Sequence, residues 1–151
     1  MSPSRDLKAE ETALRSVIDV LIDSQEGFQK VGEEIKDEAL KPWFLTESLR
    51  RAQFRGDLET ILHQEGVHDI KEHGTVVGTV NRVWGEIKAK LGGGDHAILS
   101  AAEEGEDAAK RAYDEALGSY LSSDVRELLT NQAAHIREAH DFVKVARDNR
   151  R

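Results

Sequence analysis

"EGVHDIKEHGTVVGTVNRVWGEIKAKLGGGD", residues 65 to 95, decides the fold. Helical segments lie on both sides of it, joined within each side by a short link, so these about thirty residues form the one long connection. Short links make neighbouring helices antiparallel, and a long link can break the simple up-and-down order of a bundle. Within the connection, "GTVVGTVNRVWGEIKAKL" (74–91) carries Val76, Val80, Val83, Trp84 and Ile87. It reads as an extra helix inside a crossover, although its valines also permit a short strand.

Upstream, Leu14, Ile18, Leu21, Gln25, Phe28, Gly32 and Ile35 recur at alternating spacings of four and three, which predicts a helix over 6–39. Pro42 in "LKPWF" (40–44) suits a helix's first turn, where its missing N–H is not needed, and opens a second helix over 42–64. Its apolar residues form two sides, Phe44, Leu45, Leu49, Ala52 and Leu62 against Phe54, Leu58 and Ile61, so a second packing partner is expected. Downstream, "GGGD" breaks the chain and Asp95 is the expected N-cap of a third helix over 96–118. Ser122 or Ser123 can cap a fourth over 123–148. Abundant Ala, Leu, Glu, Lys and Arg favour helix throughout, because they lose little rotamer freedom there. The reading is a single all-α domain over 5–148, a four-helix bundle of two antiparallel hairpins joined by a crossover over 65–95. That connectivity is the one associated with ferritin-like folds.

The bulk numbers exclude several function classes. A net charge of −8 repels a nucleic-acid backbone. With no cysteine there is no disulfide framework, thiolate metal site or thiol nucleophile. No apolar run reaches the roughly 18 residues of a membrane span, and "MSPSRDLKAEET" lacks the apolar core of a signal peptide. A cytoplasmic protein without nucleic-acid or membrane partners is expected. "LGGGD" has no following Lys-Ser or Lys-Thr to make a phosphate loop, and "GTVVGTV" lacks dinucleotide-fingerprint spacing. His63, His68 and His73 stand five residues apart and share no helix face, which makes their segment a solvated connector.

The informative residues are polar ones on apolar faces. Glu106 is in step with Leu99, Ala102, Ala109, Tyr113 and Ala116; Glu59 lies close to Ala52; Gln25 falls in the first helix's apolar arc, with Glu26 pointing away. In the fourth helix Gln132 centres the arc, with His135 and His140 on its shoulders. Counted from the turns, Glu106 and His135 are level, and Gln25 and Glu59 are within about one turn of each other. These residues make one mid-bundle polar layer, because a buried carboxylate without a partner is driven towards its neutral form. Two readings follow. The layer is a hydrogen-bonded device that sets helix register, or it holds iron or manganese on Glu59, Glu106 and His135. A complete two-metal site needs a Glu-x-x-His pair on each of two helices; the second helix has none, and three residues before His135 and His140 stand Gln132 and Arg137.

"DSQEGFQKVGEE" (23–34), "RRAQFRGDLE" (50–59), "RVWGEIKAKLGGGDHAILSAAEEGEDAAKRAYDEAL" (82–117) and "LLTNQAAHIREAH" (128–140) together resemble bacterial four-helix-bundle proteins grouped as domain of unknown function 2383. The resemblance implies a ferritin-like bundle of the bacterial cytoplasm, associated with stress. Similarity of "AAEEGEDAAKRAY" (101–113) to the third helix of rubrerythrin-type proteins implies Glu103 or Glu106 as a ligand, with Glu26 on the first helix and His135 or His140 on the fourth. The leading expectation is a non-enzymatic structural or interaction protein. It self-associates, as a dimer, through spare apolar surface of the second helix or the crossover, with room for an unknown protein partner. The alternative is a metal-binding oxidoreductase or metal-storage protein with an incomplete ligand set.

Overall fold

A computed structural model describes residues 7–68 and 94–150. They form four helices, α1 (Leu7–Glu34), α2 (Lys41–Gln64), α3 (Asp95–Leu117) and α4 (Ser123–Asp148). Polar contacts at the two ends give their directions. At one end the Asp95 carboxylate accepts from the backbone amides of Lys36, at 2.9 Å, and Asp37, at 3.0 Å, and Arg150 Nε donates to Asp37 at 3.1 Å. The α1–α2 link, the start of α3 and the end of α4 therefore meet. At the other end the Ser122 amide donates to Glu10 at 2.8 Å, tying the start of α4 to that of α1. So α1 and α4 run one way and α2 and α3 the other, and Gln64 and Asp95 lie at opposite ends. The described residues form an all-α four-helix bundle whose two hairpins are joined by one long connection. The helix-or-strand reading of 74–91 lies outside the described residues. Among the described residues, no helix is long and apolar enough to cross a membrane.

The seams differ in width because of side-chain size. α3 buries mostly small residues, including Ala101, Ala102, Gly105, Ala108 and Ala109, and α1 packs closely against it. Between α2 and α4 the gap is bridged by large rings. Trp43 stacks on Phe142 at 4.1 Å between centroids, and Phe54 meets His135 edge-on at 5.4 Å. The apolar core is in two parts, one around Leu14, Ile18, Leu21, Leu58, Leu62 and Leu129, the other around Phe28, Val31, Phe44, Leu99 and Val143. A layer of buried polar residues separates them.

Three local expectations need correction. α1 ends at Glu34 rather than 39: the Ile35 amide still reaches Val31 O at 2.8 Å, but the next two amides go to the Asp95 carboxylate instead of continuing the ladder. Asp95 therefore does not cap its own helix. It is the first residue of α3, behind an extended Gly94, and its side chain caps the α1–α2 link. The buried side of α2 is Phe44, Glu47, Ser48, Arg51, Leu58 and Leu62, whereas Leu45 is 40% and Leu49 70% exposed. The apolar residues did not mark the inward face because charged residues that neutralise one another took the central positions. Ser122 does cap α4, accepting from the Val125 amide at 3.3 Å.

Asp95→Ala leaves two amides of the link without their acceptor and should lower stability by about 1–2 kcal/mol. The measurement is thermal unfolding, with faster hydrogen exchange at Lys36 and Asp37; an unchanged exchange rate there would contradict the capping role. Arg150 holds the Asp37 carboxyl below its ordinary 3.8, helped by the Ala39 amide. A carboxyl lowered in the folded state contributes stability above its unfolded value and loses that contribution as pH falls through the folded one. Asp37→Asn should thus unfold at a lower temperature than the parent near neutral pH, and the gap should close at pH well below 3.8.

Candidate functional site

Glu47 and Arg51 are one helical turn apart on α2 and share its buried side, in step with Phe44, Leu58 and Leu62. Arg51 Nε and Nη2 donate to Glu47 Oε1 at 3.1 and 3.0 Å. From α3, Glu106 receives the other edge of the same guanidinium: Nη1 donates to Oε1 at 2.7 Å and Nη2 to Oε2 at 2.8 Å. This is the paired geometry in which a planar guanidinium meets a carboxylate most strongly. Arg51 and Glu106 are both 0% exposed. The Arg51 guanidinium also lies over the Phe28 ring of α1, 4.6 Å from its centroid, so the cation is faced by an aromatic ring as well as by carboxylates.

Burial acts against the charged guanidinium, but the fields and hydrogen bonds of Glu106 and Glu47 outweigh it and hold the Arg51 pKa above its usual value. From α4, His135 Nε2 lies 2.7 Å from Glu47 Oε1. An ionised carboxylate oxygen can only accept, so that nitrogen carries a proton towards Glu47. Counted as ions, the cluster holds two carboxylates and one guanidinium, and His135 donates to the carboxylate left in excess. Beside it, the Tyr113 hydroxyl donates to Gln132 Oε1 at 2.7 Å, and Gln132 Nε2 donates to the Phe54 carbonyl at 3.4 Å. Burial pushes the Tyr113 pKa well up, which keeps the hydroxyl a donor.

The residues singled out in the sequence fall into separate places. Glu106 is held by Arg51, and His135 by Glu47, so the two communicate only through α2. Glu59 lies 3.6 Å from Arg55 and, eight residues beyond Arg51, is roughly 12 Å further along the helix. Glu26 is exposed and Gln25 half-buried, its carbonyl accepting from Ser48 Oγ at 2.8 Å. Glu103 and His140 do approach each other, at 3.7 Å, in a second cluster between α3 and α4. There His140 Nε2 is 3.0 Å from Asp107, and Arg147 pairs with Glu103. Among the described residues no three His, Asp or Glu side chains converge to hold an ion. The donor set at Glu106 does not fit an iron or manganese centre, because both carboxylate oxygens already face a guanidinium.

Glu47 and Arg51 are the site residues that sequence reasoning missed. Their signal was present: spaced by four, they share a helix side with Phe44 and Leu58, opposite a Glu106 that needed a cation. It was overlooked because the inside of α2 was assigned by apolarity. Fold and site together define a helical bundle whose core is organised by an internal ion cluster. The chain belongs to the family described as domain of unknown function (DUF2383), whose model matches residues 9–119, a span that holds all but the first two residues of α1, the whole of α2 and α3, and the Glu47, Arg51 and Glu106 triad. No curated protein matches the sequence.

Charge counting yields a test. Glu47→Gln or Glu106→Gln alone leaves Arg51 one carboxylate and should cost about 1–3 kcal/mol. The double variant loses both sets of bonds and also strands a buried cation, which adds about 3–5 kcal/mol, so its loss should exceed the sum of the singles. Denaturant unfolding of all four proteins measures this, and additive losses would refute the shared-cation account.

Proposed function

We propose that this protein is a non-enzymatic structural or interaction bundle of the cytoplasm, in which Arg51 supplies the positive charge that Glu106 requires in the core. The observation that carries the proposal is the fully buried, two-pronged Arg51–Glu106 pair at 2.7 and 2.8 Å. A guanidinium takes up both oxygens of the carboxylate that a metal would use, and offers no open position for a substrate. The cluster joins α2, α3 and α4 through directed bonds that exist only at one relative height of the helices, which supports a register-setting role. The one-crossover order, shared with ferritin-like bundles, supports placing the chain among them as part of the same proposal.

The test is elemental analysis of protein purified from its native host, followed by titration with ferrous iron, manganese and zinc. The expected result is no stoichiometric metal, and no oxygen consumption when ferrous iron is added. One or two ions per chain that are lost in Glu106→Gln would overturn the proposal in favour of a metal-binding oxidoreductase or storage protein.

A further inference from the structure

Large apolar side chains stand exposed on the outer side of α4, Phe142 at 39% and Val145 at 58%, beside the half-buried Trp43 of α2. The Trp43–Phe142 stack makes the two helices one surface. Two exposed charges flank these residues, Arg50 on α2 and Glu138 on α4, and neither makes an ion pair or side-chain hydrogen bond among the described residues. The contacts of His135 with Glu47 and Phe54 set α2 against α4 in height, which puts Arg50 and Glu138 within about one turn of each other along the bundle. Over residues 41–56 the only acid of α2 is Glu47, which is buried, so the outward charge of this half-helix is basic in a chain of net charge −8.

We infer that this face binds a second copy of the chain, and so names the partner for the interaction role proposed above, on which it rests. A surface with its cation on one helix and its anion within about one turn of that height on the next is complementary to itself under a two-fold axis parallel to the bundle. That rotation lays α2 of one protomer over α4 of its partner without changing height. Arg50 meets the partner's Glu138, the reciprocal pair forms twice over, and Phe142 and Val145 are covered between them. Each residue thus contacts a surface that already exists, as an isologous dimer requires, and the mixture of central apolar side chains with charged neighbours is that of a protein interface.

Sedimentation equilibrium of the full chain at micromolar concentration tests this, with circular dichroism confirming that each variant folds. A dimer is expected. Arg50→Glu and Glu138→Arg should each weaken it about tenfold, and the double exchange Arg50→Glu with Glu138→Arg should bring it back to within about threefold of the parent. Val145→Asp should also weaken it; if that variant does not fold, the charge exchange decides. A monomer throughout, or a dimer that none of these variants moves, overturns the proposal. So does a monomer whose Val145→Asp variant is destabilised, which would assign the face to residues 69–93 of the same chain. A heterologous partner in place of the second copy also overturns it. Metal content and the Glu47 and Glu106 variants report on the core, so failure of the core reading and failure of the dimer are seen in different measurements.

Discussion

One constraint organises the bundle: Arg51, which stays charged, cannot remain in the core without Glu47 and Glu106. An unpaired buried cation is far costlier than a lost hydrophobic contact, and the two carboxylates answer it from different helices. Glu47 shares the helix of Arg51, so that pair forms wherever α2 is helical. Glu106 does not, and its two bonds to the guanidinium require α2 and α3, diagonal and parallel in the bundle, to stand at one relative height. His135 extends the constraint to α4 and the Phe28 ring extends it to α1. All four helices are thereby referred to a single side chain.

Apolar packing could not do this by itself. The two core clusters on either side of the polar layer are built mostly from Leu, Ile, Val and Ala, which accept small axial shifts at modest cost. Bonds to a planar guanidinium are directional and do not. The end contacts repeat the principle at the surface: the Asp95 carboxylate terminates α1 by taking the amides that would have prolonged it, and Glu10 holds the turn before α4. Where the structure needs closeness, between α1 and α3, it uses alanine and glycine. Where it tolerates distance, between α2 and α4, it uses rings and the long side chains of the cluster.

Most of the architecture was legible along the chain. Helical periodicity, Pro42 at the head of α2, Ser122 before α4 and the long connection between hairpins each act locally, and local geometry reads them without knowledge of neighbours. Glu106 was legible too, as a carboxylate in an apolar stripe, and so was the need for something to compensate it. The compensating residue was not. Arg51 is a residue type expected on the surface, and the apolar side chains of α2, Leu45 and Leu49 among them, pointed to a different face.

The sequence by itself determined that the described residues form four helices in two hairpins, that a long connection separates them, and that Glu106 enters the core. These follow from spacing, turn chemistry and burial, all properties of neighbouring residues. Only the tertiary structure decided which cation Glu106 meets, that Glu47 is inside while Glu59 is roughly two turns beyond Arg51, and that His135 and His140 belong to different clusters. Those outcomes depend on the rotation of α2 about its axis. Exchange of apolar for mutually neutralised charged residues changes that rotation, and it becomes visible only when the partners from other helices are in place.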